Sequence, residues 1–408
     1  MFKAILKLNL TTQIFIAMIL GIIAGAAIGD PVLTVANPLA DLFLRLLKMV
    51  IVPLIITSIV SGVTGVGGAA SLGRMGLKTL GYYVTTSLLA ILTGQFLVNL
   101  IQPGVGADLG LHQQPQAVDA SDQSLFGILL RMIPTNPIES MANADILPII
   151  FFCILFGIFL IQLSEKKRAP LVNLFNSGFE VMMKLTRFVI AFAPLGIFGL
   201  IARIVATTGF EPFKSLGLYF ITVLVALLIH AAITLPLLLR FIGKLSPVKF
   251  VKAMSPALLT AFSTSSSSAT LPLTMECAED RAGISNKTTS FVLPLGATIN
   301  MDGTALYECV AVIFIAQAYG ITLTFPQQAM VAITALLASI GAAGIPMAGL
   351  VMMTIVLKAV GLPLEGIGLI LAVDRLLDMC RTTVNVWSDS CGTAIIAKSE
   401  GETGVLKG

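Results

Sequence analysis

The sequence predicts an all-α polytopic membrane protein whose second half contains interrupted helices. Three observations predict it. Of its 408 residues, 56% are hydrophobic and only 11% are charged. Apolar runs recur along the chain, many near the roughly 20 residues that a helix needs to cross a hydrocarbon core. Lysine and arginine gather at the ends of these runs, where membrane topology places them.

The elements follow in order. Apolar segments fall at 11–29, 42–65, 79–102, 125–163, 172–206 and 215–241. The first, with Lys3 and Lys7 before it and "AGAAIG" near its end, has the outline of a signal peptide. It runs straight into further spans and reads as an uncleaved first helix. The 125–163 run holds Pro134, Pro137 and Pro148, which predict a break into pieces. Basic clusters before the first and third spans (Lys3 and Lys7; Arg74 and Lys78) and after the fourth and sixth ("EKKR" at 165–168; Arg240, Lys244, Lys249 and Lys252) fall on one side if six helices cross in order. That side is the cytoplasm, and it holds both termini. The loop of 103–145 lies opposite, with Asp108, Asp119, Asp122, Glu139 and Asp145 against Arg131.

The later segments, 246–275, 284–316, 324–356 and 362–397, are each interrupted. "STSSSSATLP" (Ser263 to Pro272) puts four consecutive serines where a helix should continue. Serines favour a turn or a helix start. "ASIGAAGIPMAG" (Ala338 to Gly349) carries Gly341, Gly344, Pro346 and Gly349. Irregular backbone is tolerated in lipid only where protein or a water-filled cavity satisfies it. Both segments therefore read as re-entrant hairpins, the alternative being two kinked spanning helices. For the first, Arg240 to Lys252 precede it and Arg281 and Lys287 follow it, so both ends lie on one side. Paired interrupted segments in corresponding positions point to a secondary-transporter binding site.

Charge is concentrated in the last segment. Asp374, Asp378, Arg381, Thr382, Asn385 and Asp389 fall within an arc of roughly 100° on a helix. Leu376, Leu377, Cys380, Val384 and Trp387 form the opposite side. A charge facing lipid costs at least about 2.5–3.5 kcal/mol, so this stripe needs partners or a ligand. A structural salt-bridge stripe is one reading. The mixture favours another: an arginine suits a carboxylate, and a nearby aspartate suits an ammonium. Together they describe an acidic amino acid. "LPLGATINMDGTALYE" (Leu293 to Glu308) adds Asn300 and Asp302 beside Gly303, predicting a local helix break there. With Asn385 and Asp389 these are oxygen donors of the kind that hard cations take, or else an interhelical hydrogen-bond cluster. Tyr83, Thr86 and Ser87 in the third span are further oxygen carriers.

Other classes fit poorly. The net charge of +4 is scattered and forms no nucleic-acid patch. The five cysteines, Cys153, Cys277, Cys309, Cys380 and Cys391, have no metal spacing and read as small buried hydrophobes. His112 and His230 belong to no HExxH or GxSxG constellation, so no enzyme and no organic cofactor are expected; both read as satisfied or interfacial. An ion channel is the main competing reading, because glycine-broken hairpins also build pores.

The runs "TSSSSATLPLTM", "LPLGATINMDGTALYE", "ASIGAAGIPMAG" and "LLDMCRTTVNVWSDSCGTAI" resemble the glutamate transporter family. These are the dicarboxylate/amino acid:cation symporters, including archaeal aspartate transporters and animal excitatory amino acid transporters. The resemblance covers essentially the whole chain and is most specific over 260–400. It implies eight transmembrane helices and two opposed hairpins built as inverted repeats. It also implies a homotrimer in the prokaryotic cytoplasmic membrane and elevator-type movement. Residues 1–70 and 103–206 would supply the scaffold, and 71–102 and 207–408 the transport unit. The second hairpin would be the outer gate.

Carried over by motif, Arg381 would bind the substrate side-chain carboxylate and Asp378 its amino group, with Thr382 and Asn385 at the polar ends. Ser266, Ser267, Gly344 and Ile345 would contribute from the hairpins, and Met301 and Thr304 would line the pocket. One sodium ion would meet Asn385, Asp389 and backbone at Gly296 and Asn300. A second would meet backbone near Thr298, Ser339, Ile340 and Ala342, and a third Tyr83, Thr86, Ser87, Asn300 and Asp302. By the family pattern, Arg381 and Asp378 favour aspartate or glutamate over neutral amino acids and over plain dicarboxylates. Asp389 favours sodium over proton-only coupling. Glu308 matches the proton carrier of the animal transporters and adds proton co-transport, with potassium counter-transport, as an expectation. Proton-coupled glutamate or dicarboxylate carriage is the alternative within the family. Arg375 fits neither the stripe nor the pattern cleanly, and is expected to compensate Asp374 or Asp378.

Overall fold

Small residues set the first contacts. In the computed structural model, which describes residues 10–66, 73–107, 130, 133–143, 145–341 and 348–406, the first helix α1 (Leu10–Ile28) lies against α7 (Ala193–Thr208). A Cβ at Gly21 would fall 2.9 Å from the Phe198 carbonyl, and one at Gly25 2.7 Å from that of Ala202. Gly199 of α7 approaches α2 (Leu33–Val66) as closely, a Cβ there falling 2.5 Å from the Ala36 carbonyl. Small residues that let backbones touch are how helices associate without a hydrophobic drive from solvent. Next come α3 (Gly73–Ile101), the short α4 (Pro137–Asn143), α5 (Ile146–Ile161) and α6 (Glu165–Ala191). α5 and α6 pack against α2.

The 125–163 run is broken as its prolines predict, α4 and α5 being separate helices. The 172–206 segment differs from a single span. It is α6 and α7, bent by 45° at Phe192, where Pro194 opens α7. The 215–241 segment is α8 (Glu211–Ile229), a π turn over His230–Thr234, and α9 (Leu235–Phe241).

The first interrupted segment is a hairpin. α10 (Pro247–Thr264) ends at Ser265, which takes a left-handed backbone (φ 51°). Ser266 then caps α11 (Ser267–Glu276), its Oγ accepting from Ala269 N at 3.2 Å. This is the cap chemistry that the serine run predicts. Both feet return to one cluster, where Leu245 and Phe250 join Cys277, Ala282 and Val405.

The next segment is α12 (Asn286–Ile299) and α13 (Asp302–Ala318). The break falls at Asn300 and Met301, not at Gly303. Gly303 is helical, and its glycine answers to a close approach: a Cβ would lie 2.5 Å from the Arg381 carbonyl. α14 (Phe325–Gly341) and α15 (Ala348–Ala359) pack side by side, and their connection, with Ala342, Gly344 and Ile345, lies outside the described residues. The final helix, α16 (Ile367–Ser399), threads among α10, α12, α13 and α8.

A polar clasp gathers one end. Arg74 and Lys78 of α3 reach Glu400, just past α16, at 2.8 and 2.6 Å. Glu402 accepts from the Ser285 backbone N at 2.9 Å and from the hydroxyls of Ser285 and Thr288 at 2.6 and 2.5 Å. Leu406 N donates to the Ala282 carbonyl at 2.8 Å. The start of α3, the foot of the first hairpin, the start of α12 and the tail thus share one end, as the basic clusters predict. Among the described residues all regular elements are helical, and three stretches (Arg74–Ile101, Phe213–Phe241 and Asn286–Ala318) are long and apolar enough to cross a membrane, with α6–α7 a fourth if the bent pair is one span.

Candidate functional site

The stripe of α16 is turned wholly inward. Asp374, Asp378, Arg381, Thr382, Asn385 and Asp389 are each at most 5% exposed. Arg381 Nη1 lies 3.1 Å from Asp374 Oδ1, and its Nη2 lies 2.8 Å from Asp378 Oδ1. Arg375 Nη1 meets Asp378 Oδ2 at 3.2 Å, so the expected compensation falls on Asp378. Tyr307 of α13 donates its hydroxyl to Asp374 Oδ1 at 2.7 Å and lays its ring under Arg381, the guanidinium carbon 4.4 Å from its centroid. Gly349 of α15 presents bare backbone here: a Cβ would sit 2.6 Å from Arg381 Nη1. Two arginines and two aspartates thus balance in a largely buried site, where losing any one partner is costly.

One turn further along, the donors change from charged to neutral. Asn385 Oδ1 accepts from Gly303 N at 2.8 Å, and its Nδ2 reaches Thr304 Oγ1 at 3.2 Å and Met301 Sδ at 3.5 Å. The break between α12 and α13 frees the Gly303 amide for this bond, since a helix's first N–H groups have no partner within the helix. Met301 and Thr304 thus meet Asn385, one turn along α16 from the pair Asp378 and Arg381.

Beyond Asn385 lies a cluster of oxygens. Asn300 Nδ2 donates to Asp389 Oδ1 at 2.8 Å and to Ser388 Oγ at 3.0 Å, while Asn300 Oδ1 is buried without a partner among the described residues. Asp302 accepts from Ser87 at 2.6 Å and from Ser388 at 2.6 Å. Gly296 opens a cradle: a Cβ there would fall 2.6 Å from Asp389 Oδ1 and 2.7 Å from the Tyr83 hydroxyl. Tyr83, Ser87, Gly296, Asn300, Asp302 and Asp389 thus converge from α3, α12, α13 and α16. Thr86 is buried but bonds its own helix, to the carbonyls of Tyr82 and Tyr83. Thr298 is exposed and bonds back to Pro294 and Leu295, while the buried Ser339 bonds Leu336. Ile340 lies at the end of α14. Ser266 and Ser267 are buried at the hairpin tip, and the two helices that the tip joins, α10 and α11, both pack on α16. Glu308 is fully buried in α13, with neither carboxyl oxygen partnered among the described residues.

Three contributors were not expected. His230, read as a bland histidine, puts Nε2 3.1 Å from Asp302 Oδ2. The π turn that begins there leaves the Ala231 carbonyl to accept from Trp387 Nε1 at 3.0 Å, and π turns favour functional sites. Ser388 bridges Asn300 and Asp302, and its place one residue before Asp389 was the available signal. Tyr307 had none, being one aromatic in an apolar run.

Comparison with known proteins decides the family. The model described as the sodium:dicarboxylate symporter family matches residues 10–399. The chain belongs to the sodium:dicarboxylate symporter family. Over 97% of its length it is 39% identical to a proton/glutamate-aspartate symporter of Escherichia coli (strain K12), covering 94% of that protein. It is 38% identical to excitatory amino acid transporter 3 of Mus musculus, over 94% of this chain and 84% of that one. It is 36% identical to a proton/sodium-glutamate symport protein of Geobacillus stearothermophilus, over 98% and 97% of the two chains. By name the family and the two bacterial relatives are symporters and the mouse relative is a transporter, none of them an enzyme. With the apolar helices described above, membership makes this a multi-pass membrane protein.

Proposed function

We propose that this protein is a sodium-coupled symporter that imports aspartate or glutamate. The observation that carries the reading is the buried face of α16. There the guanidinium of Arg381 and the carboxylate of Asp378 sit one turn from the neutral donors of Asn385, and these sit beside the oxygens of Asn300, Asp302 and Asp389. Arg381 takes the substrate side-chain carboxylate, Asp378 its ammonium, and Thr382, Met301, Thr304 and the hairpin tips enclose the rest. The named substrates of the relatives support an acidic amino acid.

Sodium is the coupling ion that fits the oxygen cluster. Hard oxygen donors, the Asn300 Oδ1 that has no partner among the described residues, and the cradle at Gly296 suit a small cation. Asp389 with Gly296, and Asp302 with Tyr83 and Ser87, are the two places where this chain's own residues would hold one. Proton coupling has its own support in Glu308, a buried carboxyl with no hydrogen-bond partner among the described residues, which crosses a membrane cheaply only with its charge cancelled. Potassium return accompanies it in this reading.

Movement is by an elevator: residues 71–102 and 207–408 travel against a scaffold of 1–70 and 103–206, in a homotrimer of the cytoplasmic membrane with both termini inside. Eight spans and two re-entrant hairpins are the arrangement that the paired interruptions support.

The test is uptake of radiolabelled aspartate and glutamate into liposomes with sodium, proton and potassium gradients imposed separately. Accumulation driven by sodium is expected, and its absence under every sodium gradient sinks the reading. Accumulation also excludes a channel. Glu308→Gln should abolish the pH dependence of uptake; unchanged pH dependence removes the proton from the scheme.

A further inference from the structure

Arg375 is a charge beside the polar stripe of α16 for which neither stripe nor family pattern supplies a role. Its Nη1 is 3.2 Å from Asp378 Oδ2, and its side chain is 15% exposed against 3% for that of Asp378. Arg381 holds the other oxygen, with Nε at 3.0 Å and Nη2 at 2.8 Å from Oδ1. Both oxygens of Asp378 therefore face a guanidinium. Among the described residues, Asp378 is the hydrogen-bond partner of Arg375.

This changes what Asp378 can demand of a ligand. A buried carboxylate that receives an ammonium ordinarily tests for it, because a ligand lacking the amino group leaves the charge unpaired. Rejection in such a polar site reaches about 10⁴-fold or more. Here the penalty is softened. When Arg381 turns to a ligand carboxylate, Arg375 still neutralises Asp378 whether or not an ammonium arrives. An arriving ammonium must instead share Oδ2 with Arg375.

Resting on the acidic amino acid reading of this site, we propose that Arg375 is a specificity-determining residue that relaxes the requirement for an α-amino group by holding Asp378 Oδ2. A four-carbon dicarboxylate without an amino group then competes with aspartate for the same site. Arg375 acts through Asp378 and need not touch the ligand. Its planar fork also holds a carboxylate oxygen in a fixed direction, which an ammonium does less well.

The experiment measures a ratio. Purified protein in liposomes takes up radiolabelled aspartate at saturating sodium, and unlabelled aspartate and succinate are compared as inhibitors. Calorimetric binding of each in detergent accompanies it. In the native protein, succinate should inhibit within about 100-fold of aspartate, well short of full polar rejection. Arg375→Gln should widen that ratio by about tenfold or more, with aspartate tighter and succinate weaker, while Arg375→Lys falls between. An unchanged ratio in Arg375→Gln overturns the proposal, as does native protein that already rejects succinate by about 10⁴-fold. Should Arg375→Gln not fold, the native ratio and Arg375→Lys still decide. Native protein that neither binds nor transports aspartate refutes the transport reading itself; normal aspartate uptake with an unmoved ratio refutes only the role of Arg375.

Discussion

A single methyl group at Gly296 tests the cation cradle. In Gly296→Ala the new Cβ would lie 2.6 Å from Asp389 Oδ1 and 2.7 Å from the Tyr83 hydroxyl. Ordinary contact needs about 3.5 Å, so something must move by nearly an ångström. Neither neighbour yields easily. Asp389 and Tyr83 are each 2% exposed, the first held by Asn300 at 2.8 Å and the second bonded to the Val292 carbonyl at 2.8 Å. Overpacking of this kind costs about 1–3 kcal/mol. If the strain falls on the cation donors, the sodium concentration for half-maximal uptake rises by roughly 5- to 150-fold, at about 1.4 kcal/mol per tenfold. The assay is aspartate uptake into liposomes against external sodium, with the maximal rate recovering at high sodium. Gly81→Ala is the control, on the same helix as Tyr83 with nothing within 4 Å of its Cβ, and should leave the midpoint within about twofold. A folded Gly296→Ala protein with an unmoved sodium midpoint, or a lowered maximal rate alone, refutes the reasoning.

Arg381→Cys takes the cationic partner from Asp374 and leaves Asp378 to Arg375 alone, a loss of about 3–5 kcal/mol for a broken buried pair, and should abolish acidic amino acid uptake while lowering the melting temperature. His230→Leu removes a partner of Asp302 Oδ2 and should destabilise by about 1.5–3 kcal/mol, with His230→Gln recovering much of it in thermal melts. The Glu400 carboxyl is held down from 4.5 to about 2 by hydrogen bonds from Arg74 and Lys78. A lowered folded-state value means its stabilisation is complete above the unfolded value and is lost as pH falls from there through about 2, so between about pH 5 and 8 the clasp should not respond to pH. It should respond to salt, because Arg74 is largely exposed. Protection of the Leu406 amide in hydrogen exchange should drop in Glu400→Gln or at high salt.

Much of the site was legible because charge inside an apolar span has few innocent explanations. Six polar positions within one arc of α16 predicted an inward face, and all are buried. The serine run predicted a turn, and Ser265 and Ser266 make one through a left-handed backbone and a cap. What escaped was partnership across the fold. His230 is one polar side chain among apolar ones, and its partner Asp302 is 72 residues away. Tyr307 looks like core until Asp374 appears beneath its hydroxyl. Gly303 was read as a breaker, but the break needed only Asn300 and Met301, and the glycine serves contact with Arg381. The bend at Phe192 was announced by Pro194, but the apolar run around it masked the signal.

The π turn at His230–Thr234 also works as a phase adaptor. In an uninterrupted α-helix, Tyr219 and Leu235 would point about 160° apart, and Tyr219 and Leu239 about 200° apart, on opposite faces. One extra residue in the turn subtracts about 100°, leaving them about 60° and 100° apart. That allows Tyr219 to stack on Phe314 of α13, with ring centroids 4.7 Å apart, while Leu235 and Leu239 bury beside Trp387 and Ile395 of α16. A one-residue deletion in this turn would leave composition and length nearly unchanged, yet it would rotate α9 out of register with everything it touches.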